Sequence, residues 1–123
     1  KIMLGSASIE KAQGSMQVSG RDMVTGLPRV VEVPAKEIAV AMSEIIHQIL
    51  DAVKDVLEQT PPEISADVID HGIVLTGGGA MLRHLAEMIS KETQVPAFVA
   101  NDPLDCVALG TGAILANPSL MKK

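Results

Sequence analysis

The chain has 123 residues, 47% of them hydrophobic and 20% charged, with a net charge of −5 and Phe98 as its one aromatic residue. That length suits a single core, in which roughly two thirds of the unfolded surface is buried, and the composition excludes both a disordered chain and a membrane-spanning stretch. Basic residues are scattered apart from Lys122 and Lys123, and aromatic platforms are lacking, which argues against a nucleic-acid partner.

The chain opens at Lys1, without an initiator methionine and with no capping signal ahead of KIMLGSAS, so a piece of a longer polypeptide is expected, beginning in helix or turn. Residues Ser15 to Val33 alternate weakly and predict two strands, with a polar turn at Ser19 to Asp22 and with Gly26 and Pro28 leading into the second. From Pro34 to Glu58 apolar residues recur at spacings of three and four: Ile38, Met42, Ile45, Ile46, Ile49, Leu50, Val53, Val56 and Leu57. This lines one face of a helix about six turns long. Pro61 and Pro62 stop it, and a short helix is expected from Glu63 to Ile69.

Two strand-then-helix units follow. The first is a strand at Ile73 to Thr76 and a helix at Ala80 to Glu92, with Met81, Leu82, Leu85, Met88 and Ile89 facing inward. The second is a strand at Val95 to Val99 and a helix toward Leu115, with Asp102 as N-cap, Pro103 at the first helical position and Asp105 favouring the dipole. Gly110 and Gly112 inside that helix suggest close approach to a neighbour. The class is α/β.

Between the first strand and its helix stands Gly77-Gly78-Gly79. It is not a P-loop, since no Gly-Lys-Ser/Thr follows, and it fails the dinucleotide fingerprint because position 82 is leucine. Two readings are open: a tight turn with close packing, or a backbone surface for a phosphorylated ligand at the strand's carboxyl end, where Thr76 adds a hydroxyl. Met81 and Leu82 fit either an adenine face or the core.

The strings GIVLTGGGAMLRHLAEMI and VPAFVANDPLDCVALGTGAIL resemble the carboxyl-terminal part of the MreB/Mbl family, bacterial actin-like proteins that determine rod shape. The resemblance continues through GRDMVTGLPR, VPAKEI, VLEQTPPEISADVIDHG and KIMLGSA, covering essentially the whole chain. It implies part of an actin and sugar-kinase type lobe, with residues 1–46 in a small subdomain and 47–123 in the carboxyl-terminal part of a large one. It further implies ATP with Mg as cofactor in the complete protein, Gly77, Gly78, Gly79 and Ala80 as the adenosine motif, and CVALGTG (Cys106 to Gly112) as a helix packed at the hinge between lobes. Lys1 would lie at the edge of a helix flanking the adenine.

By the same resemblance, the two phosphate loops and the acid that orients the attacking water precede this segment. ATP hydrolysis is therefore not expected of this chain alone. The implied partners are further copies in a filament and a membrane-spanning morphogenesis protein, at the inner face of the cell membrane in the cytoplasm. No direct membrane contact is expected from this segment, because the family's membrane-inserting surface lies in the other lobe.

The remaining candidates have plainer readings. Cys106 is lone and in an apolar context, which fits a core thiol in a reducing compartment. His47, His71 and His84 fall on separate elements without ligand spacing, so no metal site is expected. Asp67 with Asp70, and Asp102 with Asp105, read as capping and solvated turns rather than catalytic acid pairs. A sugar kinase is disfavoured by the lack of a catalytic aspartate context. The alternative to a nucleotide half-site is an interaction fragment that has lost useful nucleotide affinity.

Overall fold

The computed structural model describes residues 4–117 and 119. The adenine-flanking edge expected at Lys1 and the basic pair Lys122 and Lys123 lie outside them. Strands β1 (Ser15–Arg21) and β2 (Pro28–Pro34) form an antiparallel hairpin, with Ser15 opposite Pro34 and Arg21 opposite Pro28. The turn lies later than Ser19 to Asp22, because Asp22 is the residue able to close it. Its Oδ1 accepts the backbone N–H groups of Val24 and Thr25, each at 2.9 Å, and its Oδ2 accepts from Arg29 at 3.2 Å. These bonds, Thr25's first, hold the Asp22 carboxyl below its ordinary pKa. The hairpin tip leaves Met23 96% and Val24 94% exposed.

Helix α1 (Ala35–Glu58) follows the predicted periodicity closely. Ala35, Ala39, Ile46 and Leu50 are buried along one stripe, with Met42 and Val53 packed beside the core. Of the rest of the predicted stripe, Ile45, Ile49 and Val56 are exposed, whereas Ile38 and Leu57 are half-buried. The helix runs unbroken through Ile46, so a division between residues 46 and 47 passes through a continuous element. Helix α2 (Pro62–His71) begins one residue earlier and ends two residues later than expected, with a proline in its first turn.

Gly72 ends α2 with φ +80°, and a Cβ there would lie 2.7 Å from the Pro96 carbonyl oxygen, so conformation and space both require glycine. The next strand, β3 (Ile73–Leu75), pairs in parallel with β4 (Ala97–Val99), Ile73 opposite Ala97 and Leu75 opposite Val99. Between them the predicted single helix is two: a one-turn helix α3 (Gly77–Ala80) and α4 (Leu85–Thr93). Met81, expected inside, is 58% exposed. The break comes from outside the segment. Ser6 makes a parallel bridge with Arg83, and Ala7 donates its N–H to the Arg83 carbonyl at 2.9 Å, which removes that carbonyl from any helix ladder.

The core is the layer where α1 meets α4 above the β3–β4 pair. Ala7, Ile46, Leu50, Leu85 and Ile89 form its centre, with Ile73, Leu75, Met88 and Ala97 around them. Burying each large aliphatic side chain contributes about 1.5–3 kcal/mol.

The last helix, α5 (Cys106–Ala116), starts later than the Asp102-Pro103 signature predicts. Asp102 takes φ +48°, and its carbonyl accepts the N–H of Asp105 at 2.9 Å, closing a turn first. Asp105 then holds the N-cap position without a side-chain cap bond. α5 is apolar on every side and buries none of its residues; Leu115 is 82% exposed. A Cβ on Gly110 or Gly112 would meet no atom within 4 Å, so the neighbour expected there is not provided by the described residues. Cys106 is half-buried rather than in the core, its Sγ 3.5 Å from the Asp102 carbonyl oxygen. No helix among the described residues is long and apolar enough to cross a membrane.

Candidate functional site

The carboxyl ends of the paired parallel strands carry the predicted glycine turn. Thr76 leaves β3 in extended conformation (φ −128°, ψ 168°), Gly77 turns the chain at φ +79°, and one turn of helix runs to Ala80. Gly77, Gly78, Gly79 and Ala80 therefore form one unit in space. They differ in surroundings. Ala80 is buried and anchors the turn to the core side, whereas Gly78 and Gly79 are exposed.

Each glycine has a separate physical account. Gly77 needs its left-handed backbone, and its N–H is committed to the Pro103 carbonyl oxygen at 2.7 Å. A Cβ on Gly78 would rest 3.6 Å from Leu104 Cδ2, an ordinary contact. A Cβ on Gly79 would meet nothing within 4 Å, and Gly79 is outside the left-handed region. Neither conformation nor packing among the described residues asks for glycine there. The N–H groups of a first helical turn lack intrahelical partners, so Gly78 and Gly79 present backbone donors beside open space. Exposed Met81 flanks that space, while Leu82 is half-buried against the core.

The turn is held from two sides that local sequence does not reveal. One is the loop after β4, through the Pro103 carbonyl. The other is the amino-terminal segment. Arg83 Nε donates to the Gly5 carbonyl at 3.1 Å, and fully buried Ser6 lies with its Oγ 2.9 Å from His84 Nδ1. Further along α4, Lys11 pairs with Glu87, and this bond holds the Glu87 carboxyl below its ordinary pKa. The other histidines serve their own helices: His47 Nδ1 contacts the Ser43 carbonyl and His71 Nδ1 that of Asp67. The one local hint of these supports is the Asn101-Asp102-Pro103 turn signal; nothing in the sequence around Ser6 announces its role.

The chain matches the MreB/Mbl protein family across residues 1–123. It is 45% identical over 123 residues to the cell shape-determining protein Mbl of Bacillus subtilis (strain 168), covering all of this chain and 37% of that protein. It is 43% identical over 115 residues to the cell shape-determining protein MreB of Escherichia coli (strain K12), covering 94% of this chain and 33% of that protein. The crystal structure of MreB5 of Spiroplasma citri bound to ADP superimposes with a TM-score of 0.86 at 34% identity, over 99% of this chain and 36% of that one. The chain thus spans about a third of the length of these relatives, and its α/β fold is part of the actin-like architecture they share. On the whole-chain match and the identity to its relatives, the chain belongs to the MreB/Mbl family.

Proposed function

We propose that this chain forms the adenosine-side half of the nucleotide site in an ATP-binding, filament-forming actin-like protein that determines rod cell shape by organising cell-wall growth. The observation that carries this reading is Gly79: an exposed backbone with open space above it and no demand for glycine from the fold. A backbone stripped of side chains at the carboxyl end of a parallel strand suits close approach of a nucleotide. The 34% identical MreB5 of Spiroplasma citri, whose crystal structure is bound to ADP, supports the same assignment.

Gly77 to Ala80 would hold the adenosine, Gly78 and Gly79 through their backbone and Ala80 by anchoring the turn. ATP with Mg, when bound, supplies the triphosphate and its counter-ion. In this reading residues 1–46 belong to a small subdomain and 47–123 to a large one. Further copies of the protein and a membrane-spanning morphogenesis protein are its partners, at the inner face of the cell membrane. Exposed Val107, Leu109 and Leu115 of α5 favour a second reading, in which the chain mainly contributes contact surface.

Calorimetric titration with Mg-ATP separates the two. Saturable binding that Gly79→Val abolishes supports the half-site, since a Cβ at that position meets no other atom within 4 Å and projects into the open space. Absence of binding at millimolar ATP, or binding indifferent to the substitution, overturns it.

A further inference from the structure

We infer that Ser6 and His84 act as positioning residues for the glycine turn, an assignment that rests on the nucleotide reading above. Ser6 is the buried polar residue of the core region, 0% exposed, yet it belongs to no strand or helix. Its Oγ donates to the Ser8 carbonyl at 2.8 Å and lies 2.9 Å from His84 Nδ1, 78 residues away. A serine hydroxyl has one proton, and that proton goes to Ser8. His84 is therefore the donor, through Nδ1–H, and the contact persists whether or not Nε2 is protonated.

His84 is the residue at which α3 and α4 change direction. It takes φ +65°, a left-handed conformation disfavoured for any residue with a Cβ. Its bond to Ser6 Oγ holds the His84 side chain where that backbone requires it. The adjoining Arg83 is fixed at both ends, its carbonyl by the Ala7 N–H and its Nε by the Gly5 carbonyl. Leu85, immediately after, is locked in the core. The segment Gly5–Ala7 thus sets the angle at which α3 leaves α4, and so where the backbones of Gly78 and Gly79 stand relative to the Pro103 loop. These residues touch no ligand themselves; they fix the surface that does.

The test uses the complete protein that carries this sequence, comparing the unaltered form with Ser6→Ala, His84→Ala and His84→Asn. Asparagine enters the left-handed region readily and keeps a side-chain donor, so it restores what alanine removes. Loss of one such hydrogen bond predicts Mg-ATP binding weakened about fivefold in both alanine variants and within about twofold of the unaltered protein for His84→Asn. Amide hydrogen exchange should quicken at Met81 and Leu82, whose N–H groups bond the Gly78 and Gly79 carbonyls, while the Ile46 and Leu50 amides keep their protection. Should Ser6→Ala fail to fold, half-buried His84→Ala carries the same comparison. Unchanged affinity in the alanine variants, a loss that His84→Asn does not restore, or quickened exchange at Ile46 and Leu50 in step with the turn overturns the positioning role alone. Failure of the unaltered protein to bind Mg-ATP overturns the nucleotide reading and this role with it.

Discussion

Gly77 donates its backbone N–H to the carbonyl oxygen of Pro103 at 2.7 Å, tying the turn after β3 to the loop after β4. The two strands are parallel neighbours, so the bond closes their carboxyl ends into one ledge, the place where open α/β sheets receive ligands. The donor is available because Gly77 is the first residue of α3, whose N–H has no acceptor within the helix.

Gly77→Ala should lower stability by about 1–2 kcal/mol, the cost of a left-handed alanine, since its Cβ meets no other atom. Gly72→Ala adds to a similar φ a clash with the Pro96 carbonyl and should cost clearly more. Urea unfolding of the two variants checks the ranking; equal losses would contradict it.

Ile89→Ala should destabilise by about 2–5 kcal/mol, because Ile89 is 1% exposed at the centre of the α1–α4 layer. Leu109→Ala, on the exposed face of α5, should stay within about 0.5 kcal/mol. Thermal unfolding monitored by circular dichroism tells them apart.

Elements governed by local chemistry were legible in the sequence. The three-and-four spacing gave α1 to within a residue, and Pro61 and Pro62 separated it from α2. The glycine turn was visible as a turn for the same reason. What stayed hidden depends on distant partners. The break between α3 and α4 is made by Ser6 and Ala7, which local periodicity cannot register. The Asp102-Pro103 helix start misled because the Pro103 carbonyl is committed to Gly77 and Asp102 closes a turn of its own. Ile45, Ile49 and Val56 of the α1 stripe are exposed, as periodicity reports which face is apolar but not what covers it.

Asp22→Ala should loosen the hairpin without touching the core. The two N–H groups of Val24 and Thr25 lose their acceptor and turn to water. Amide exchange should rise from Asp22 to Leu27 and remain unchanged in α4; protection lost in both would contradict a local role.

Lys54 and Glu92 join α1 to α4 at 2.7 Å. The bond from Lys54 holds the Glu92 carboxyl below its ordinary 4.5 and raises Lys54 above 10.5. A depressed carboxylate contributes stability that is present above 4.5 and lost as pH falls through its folded value; the raised lysine contributes below 10.5 and loses this as pH rises. Both groups are partly exposed, so the effect is small and screened by salt. Lys54→Met should make the fall in melting temperature below about pH 5 shallower, most visibly at low ionic strength. An unchanged slope would count against the pair.

The most direct measurement follows the backbone amide resonances of the complete protein during titration with Mg-ADP. If the glycine turn holds adenosine, the largest shifts fall on Gly78, Gly79 and Ala80, with Leu104 moving beside them and the hairpin amides unaffected. Shifts concentrated elsewhere, or none at saturating nucleotide, would contradict the assignment of this turn as the adenosine contact.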